Sequence, residues 1–163
     1  MKTSLGPAGS GNEDETTQAK VSEVGLLRLQ VLCQMCCGVQ SAEDIEMMMT
    51  RLNDWHYALP PFMSFTYLMQ GNMSPFTYSQ RGALILAHSW YLSSVVVLHQ
   101  PVLVAIADAR LEQPWYLPEV DKFQAQAFFT RAVEAARSMV RIYILLEFGT
   151  QKNNMHIRSW LST

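Results

Sequence analysis

The stretch from Gln80 to Leu111, QRGALILAHSWYLSSVVVLHQPVLVAIADARL, decides how this chain folds. Between Arg81 and Asp108 it contains no Asp, Glu, Lys or Arg. Water is therefore a poor solvent for nearly every face of a regular structure built from it. The segment must be buried, either against other helices of a soluble domain or in a lipid bilayer.

A bilayer is possible on length, because about 20 apolar residues suffice to cross one and the segment 82–107 is uncharged. His88, His99 and Pro101 are costly or disruptive in hydrocarbon, and no basic cluster flanks the segment to set an orientation. The sequence favours a protein core and keeps a small helical membrane protein, spanning 82–107, as the alternative.

The overall composition narrows the class of protein. The 163 residues suit one domain, or a piece of a larger one, and 12 basic against 14 acidic residues provide no positive field for nucleic acid. Charged residues are only 16% and hydrophobic ones 49% of the chain. This balance favours large helix contacts or an absent partner surface. No secretory signal is visible at the N-terminus.

Helical periodicity without any alternating strand predicts an all-α fold, an irregular antiparallel array of about five to six helices. Residues 1–16 are rich in Gly, Ser and acids and predict a disordered leader, so the helical domain is expected over 17–163. A first helix is predicted from Thr17 to Val39, and Ser41 with Asp44 forms a capping-box signature for the next.

The second helix is predicted from Ala42 to Ala58, because Pro60 and Pro61 end it. The short turn between the first two helices predicts an antiparallel pair. A packed loop is expected from Pro61 to Ser79. The predicted buried side of the second helix consists of Ile45, Met48, Met49, Leu52 and Trp55.

The third helix is predicted from Ser79 to His99, with Pro101 as a break and a short helix following from Val102 to Leu111. A proline-containing connector then leads to a long helix from Asp121 to Phe148, which Gly149 ends. Asn153 to Leu161 is predicted as the start of one more helix. The predicted buried side of the long helix consists of Phe128, Ala132, Ala135, Met139, Tyr143 and Leu146.

The clustered cysteines Cys33, Cys36 and Cys37 raise the question of a metal. Two thiolates at that spacing can bind zinc, but no second pair follows, and the odd number does not describe a disulfide framework. Within an apolar helical pattern, cysteine behaves as a small hydrophobe. We therefore expect core packing, a reducing compartment, no metal site and no cofactor.

His88 and His99 lie eleven residues apart in sequence, almost three helical turns, and so project from nearly the same face of an unbroken helix. Nearby serines suggest a nucleophile and base, but the stretch has no G-x-S-x-G elbow and no carboxylate to orient an imidazole. We expect core histidines and no catalytic residues, and a helical enzyme using His88 or His99 remains a rival. No phosphate-binding glycine loop is present.

A resemblance to a known family rests on the order of short motifs along the chain. W-x-x-x-L-P ends at Pro60, A-H-S-W-Y-L leads into V-L-H-Q-P-V-L, and A-V-E-A-A-R-S-M-V-R follows a proline-containing linker. This order, over about 41–146, resembles the regulatory middle homology region of fungal zinc binuclear cluster transcription factors, also called the fungal-specific transcription factor domain. The positions that carry the resemblance, in structural roles, are Trp55, Pro60, His88, Tyr91, His99, Pro101, Ala135 and Ala136.

The chain departs from the family at two positions and lacks its DNA-binding module. Gln100 stands where the family favours arginine, and Ala132 where it often has cysteine, so neither the arginine's contacts nor the thiol carries over. The three cysteines do not form the binuclear zinc pattern. The resemblance therefore implies no direct contact with nucleic acid.

What the resemblance implies is a nuclear, non-enzymatic regulatory domain that controls RNA polymerase II transcription through protein partners, the rest of the factor or a small-molecule effector. The family region is typically longer, so we expect a fragment or truncated product whose missing helices cover Val95 to Val104. On that basis the isolated chain should be poorly soluble as a monomer.

Overall fold

The computed structural model describes the backbone of residues 10–37, 41–69, 78–110 and 122–160, and the side chains of 12–37, 41–69, 79–104 and 123–144. Within these ranges the fold is all-α, with no β-strand, which confirms the predicted class. The helices are α1 (Ser10–Cys37), α2 (Ala42–Tyr57), a 3-10 turn (Pro61–Met63), α3 (Phe65–Met69), α4 (Tyr78–Arg110) and α5 (Lys122–Trp160).

The charge-poor helix α4 is the centre of the fold. It lies between α1 and α5 and also contacts α2 and α3. The amide of Gln80 donates to the Asp14 carboxylate and the guanidinium of Arg28 donates to the Ser93 hydroxyl, so α1 and α4 run in the same direction. His99 instead contacts Phe128 near the start of α5, so α4 and α5 are antiparallel.

Helix α2 follows the sequence prediction closely. The Ser41 hydroxyl accepts from the Asp44 backbone N–H at 3.1 Å while the Asp44 carboxylate accepts from the Ser41 N–H, so the capping box forms. The indole N–H of Trp55 donates to the Lys20 carbonyl at 3.0 Å, and with the short turn this makes α1 and α2 antiparallel as predicted. Every residue of the predicted buried side is buried: Ile45, Met48, Met49, Leu52 and Trp55.

Helix α1 begins at Ser10, before the predicted start at Thr17, so the part of the predicted leader from residue 10 onward is helical. Glu13 in the first turn stabilises the helix through its favourable interaction with the helix dipole. Asp14 accepts a hydrogen bond from Gln80 of α4. Residues 1–9, and the predicted end of this helix at Val39, lie outside the described residues.

The predicted core placement of Cys33, Cys36 and Cys37 is wrong, because all these thiols are free and exposed. The face of α1 that packs inward carries Val24 and Val31, both fully buried. The helix is apolar on most of its circumference, so periodicity alone did not identify the inner face.

The packed loop predicted from Pro61 to Ser79 is partly helical. Pro60 precedes the 3-10 turn, and its carbonyl accepts from the Met63 N–H at 2.8 Å. Met63 and Leu68 are buried, which agrees with packing onto the domain. Residues 70–77 lie outside the described part of the chain.

Pro101 does not break the helix, contrary to prediction, and α4 continues through it to Arg110. A proline removes one helical hydrogen bond, at a cost of about 3 kcal/mol in an isolated helix. Leu98 and Val102 on either side are buried at 1% and 0% exposure, so tertiary packing offsets the loss. Val95 is buried as well, and in the segment that we expected to be uncovered only Gln100 and Val104 are exposed.

Helix α5 is also longer than predicted, because Gly149 does not end it and the separately predicted helix from Asn153 is part of it. The buried row contains Phe128, Ala132 and Ala135 as expected and then continues through Ile142. Tyr143 was predicted inside and is 70% exposed, because the alternating spacing of three and four residues reaches position 142. Asp121 and the side chain of Leu146 lie outside the described residues.

Candidate functional site

The positions that carried the family resemblance are only partly brought together. The Trp55 ring centroid lies 6.3 Å from that of His88 and 5.8 Å from that of Tyr91, so α2 and α4 meet through these rings. Pro60 joins this group indirectly, since it positions the 3-10 turn that contacts His88. Of these positions, His88 and Tyr91 line one cleft, and Trp55 packs behind them.

The remaining signature positions lie elsewhere. His99 and Pro101 are farther along α4, and neither lines this cleft. On α5, Ala135 lines the cleft, whereas Ala136 is exposed. The predicted set therefore divides between a cleft and the packing of α4.

The cleft, which we call the His88 cleft, is formed where α2, α3, α4 and α5 converge and has a volume of about 560 Å³. That volume lies in the range of small-molecule sites. Aromatic rings from three helices and a polar wall from α5 surround it. Its lining includes Asn53, His56, Phe65, His88, Tyr91, Ala135 and Ser138.

His88 is the most perturbed group of this cleft. Its Nε2 lies 2.8 Å from the Met63 carbonyl oxygen, and a carbonyl can only accept, so Nε2 carries the proton of the neutral ring. Burial, opposed by that bond and aided by the neighbouring His56, lowers the pKa of His88 to about 4. Nδ1 is therefore an unprotonated lone pair at neutral pH, and it is buried without a partner within the described residues.

A second aromatic pair closes the cleft beside His88. The rings of His56 and Tyr91 stack with centroids 4.8 Å apart, and the Tyr91 hydroxyl donates to the Asn53 side-chain oxygen at 3.2 Å. Burial lowers the pKa of His56 and raises that of Tyr91. Both groups are consequently neutral near pH 7, so this wall offers flat apolar faces with polar edges.

The α5 wall carries the charged groups. Arg131 lines the cleft and pairs with Glu46 of α2 at 3.1 Å, and its guanidinium also lies 5.9 Å from the centroid of the Phe128 ring. Both partners of the ion pair are more than 40% exposed, so solvent screens it strongly. The ion pair joins α2 to α5 at the protein surface and does not place a charge in the interior of the cleft.

His99 is the other buried histidine of α4. Its Nδ1 donates to the Val95 carbonyl at 2.7 Å, one turn back, and its ring meets Phe128 edge-on at 5.1 Å. Burial lowers the pKa of His99, and the charge of Arg131 lowers it further, against the smaller raising effects of the Val95 bond and Glu46. Nε2 is buried without a partner within the described residues. The expectation of core histidines thus agrees with their burial, but each leaves one nitrogen unpaired.

The groups considered for nucleophilic chemistry are engaged otherwise. The hydroxyls of Ser93 and Ser94 donate to the Trp90 carbonyl, at 3.1 and 2.7 Å, and not to an imidazole. Among the described residues no group of three His, Cys, Asp or Glu side chains is arranged to hold a metal ion. The proximity of Cys33 raises the pKa of the Cys37 thiol.

Sequence reasoning missed most of the cleft. No sequence pattern assigned a role to His56. The Glu46–Arg131 pair joins positions that no local pattern connects. The pairing of His56 with Tyr91 depends on the crossing of α2 over α4, which the sequence does not encode in any short motif. The available signal was the shared aromatic character of the α2 end and the α4 start.

No family model, no curated protein and no solved structure matches this chain.

Proposed function

We propose that this chain is a non-catalytic regulatory domain of the fungal transcription factor kind, which controls RNA polymerase II transcription in the nucleus by binding a small effector in the His88 cleft. One observation carries the proposal: His88 lines a cleft of about 560 Å³, and its Nδ1 is buried with no partner among the described residues. Leaving such an acceptor unpaired costs about 1 to 3 kcal/mol. Because less than 1 Å² of this atom is exposed, a ligand reaches it only when side chains at the cleft move, and a ligand that then donates to it recovers that cost.

The family resemblance supports the same site. Trp55 of one motif contacts His88 and Tyr91 of another, and the latter two residues line the cleft. Direct contact with DNA is not part of the proposal, since the formal net charge of −2 gives no attraction for phosphate. The domain would act through helix positions that an effector stabilises.

The lining defines the chemical class of the effector. Neutral aromatic faces of His56, Tyr91 and Phe65 suit a flat, largely apolar body. The Nδ1 of His88 can accept one hydrogen bond, so the effector needs one N–H or O–H donor. A planar heteroaromatic or phenolic molecule meets both requirements.

The binding test is a thermal-shift screen of small planar N–H and O–H donors against the chain. His88→Gln is the informative variant, because the glutamine amide nitrogen lies as many bonds from Cα as Nε2 and can still donate to Met63, while the Nδ1 lone pair is lost. We expect affinity to fall about tenfold, which corresponds to about 1.4 kcal/mol.

His99→Asn is the matched control, since it keeps a donor near the position of Nδ1 in a histidine that does not line the cleft. Its affinity for the same compound should equal that of the wild type. If no compound of this class binds, or if His88→Gln binds equally well, the effector proposal fails.

The transcriptional part is tested separately by fusing the full chain to a heterologous DNA-binding domain and measuring a reporter in a fungal cell. We expect reporter output to change with the compound that binds in vitro, and His88→Gln to abolish that response. If reporter output is the same with and without the fused chain under every condition, the regulatory role is contradicted, whatever the binding result.

The membrane alternative rests on one specific observation. Over Ser79–Val104, with mean hydropathy 1.4, α4 is long and apolar enough to cross a membrane by length and composition, and 44% of that window is buried inside the fold. Cell fractionation separates the two functions. Recovery only in detergent, with protease protection of 82–107, would favour the membrane protein.

A further inference from the structure

Helix α1 carries a continuous row of exposed, uncharged side chains that nothing in the described structure covers. Leu26 and Leu29 are each 63% exposed at its middle. The neighbours of these leucines along the row are spaced alternately by three and four residues, the pattern of a coiled-coil seam. The α1 seam consists of Ala19, Ser22, Leu26, Leu29, Cys33 and Cys36, all exposed.

The seam lies on the opposite side of α1 from the core. Val24 and Val31, which are fully buried, differ from the centre of the seam by about half a helical turn. Contacts of α1 with α4, such as that between Arg28 and Ser93, also leave this face open. Helix α1 therefore packs on the core with the face that carries Val24 and Val31, and the seam is a second surface available for packing.

A second copy of this chain fits the seam when the two α1 helices run antiparallel. A two-fold axis between residues 27 and 28 places Leu26 against Leu29 of the other copy, so four leucines meet at the centre. Towards each end, Ser22 faces Cys33 and Ala19 faces Cys36. A small side chain meets a larger one at every outer layer.

The acidic start of α1 disfavours a parallel arrangement of the two helices. Glu13, Asp14 and Glu15 form an acidic group near the start of α1. Parallel helices would place the two groups side by side, whereas antiparallel helices separate them by about 40 Å, well beyond a Debye length of about 8 Å. The antiparallel pair also aligns the helix dipoles favourably.

Charges beside the seam do not oppose the pairing. Glu23 is neutralised by Lys20 within its own helix at 2.8 Å, and it would face Gln30 of the other copy. The seam spans about 26 Å, and two helices in contact along that length bury on the order of 1,000 Å² in total, near the lower limit for a specific interface. Interfaces at this lower limit are typical of weak association, so the dimer is to be sought at micromolar concentration and above.

We propose that the α1 seam is a homodimer interface, in which two copies of this chain pack their α1 helices antiparallel about an axis near Leu26 and Leu29. The proposal does not depend on the effector or on transcription. It accounts for exposed cysteines in a row where a monomer would place polar residues.

The first test is the mass of the full chain by light scattering over a dilution series up to about 100 µM. The wild type should be dimeric at the top of the range. Leu26→Glu with Leu29→Glu should be monomeric with unchanged helical circular dichroism. Val140→Glu, at a 58% exposed apolar position on α5, is the matched control and should remain dimeric. A monomeric wild type, or a dimer that tolerates both seam charges, overturns the proposal.

Disulfide trapping with diamide tests the orientation. Ser22→Cys is introduced into a chain that keeps Cys33 and carries Cys36→Ser and Cys37→Ser. We expect a cross-linked dimer, because position 22 faces Cys33 of the other copy, and none when either thiol of the pair is absent. Within one chain the two positions are about 16 Å apart and cannot be bridged. Cross-linking through Cys33 alone would indicate parallel helices and overturn the antiparallel dimer.

Discussion

The Nε2 atom of His88 lies 2.8 Å from the carbonyl oxygen of Met63, and this buried hydrogen bond joins the central helix α4 to the 3-10 turn that follows α2. It sets the tautomer of the ring, and Nδ1 has no partner in the part of the chain that the structure describes. The same contact therefore stabilises the fold and defines the candidate site.

Stability should depend on pH through this histidine. Burial holds the folded-state pKa of His88 near 4, below its ordinary 6.5, so the unfolded chain takes up the proton first as pH falls. The contribution is complete above pH 6.5 and is lost progressively between pH 6.5 and about 4. The loss from this group should be about 3 kcal/mol in the free energy of unfolding.

Urea unfolding at several pH values measures this, with His88→Gln as the comparison. That variant should lose the larger part of the slope, and His56 and His99, whose pKa values are lowered by burial as well, should keep the rest. A wild type whose stability is constant from pH 7 to about 4 would contradict the buried neutral ring.

Gly25 should resist replacement by alanine. A Cβ there would lie 3.0 Å from Cζ3 of Trp90, where α1 approaches α4. We expect Gly25→Ala to lower the free energy of unfolding by about 1 kcal/mol. The added carbon forces the indole to move, and the cost of that movement exceeds the gain in helix propensity from alanine. Gly82→Ala is the control, since nothing lies within 4 Å of its added carbon, and it should stabilise by about 0.5 to 1 kcal/mol. Equal effects of both substitutions would rule out the close approach.

The capping box at Ser41 should contribute measurably to α2. Ser41→Ala removes the acceptor of the Asp44 N–H and should cost about 1 kcal/mol in thermal or urea unfolding. Thr50→Ala is the control, because that exposed hydroxyl donates only to the Glu46 carbonyl of its own helix. It should be neutral or slightly stabilising. A neutral Ser41→Ala would show that the cap is not formed in solution.

The Glu46–Arg131 ion pair should contribute little despite linking α2 to α5. Its side chains are 45% and 43% exposed, so we expect a double-mutant cycle with Glu46→Gln and Arg131→Gln to give a coupling of about 0.5 kcal/mol or less. The coupling should shrink further at high salt. A value several times larger would mean that the pair is more shielded from water than its exposure indicates.

Local signals predicted the elements whose ends and faces are set within a few residues. The capping residues and the periodicity of α2 were enough to place Trp55 and its row inside, because both depend only on neighbours one turn apart. The same reasoning placed the α4 stretch at the centre. It failed at Pro101 and Gly149, where a local breaker is outweighed or tolerated in a longer helix. It also failed for Cys33 and Tyr143, where a helix that is apolar on several sides does not show which side is inside.

By itself, the sequence determined that this protein is helical and that the charge-free segment 82–107 must be buried, because hydrophobic periodicity and the absence of charge act locally. Only the tertiary structure decided that His56, His88 and Tyr91 share one cleft and that no described residue covers the α1 seam. Those outcomes depend on how helices distant in sequence cross, and that is set by the packing of whole faces.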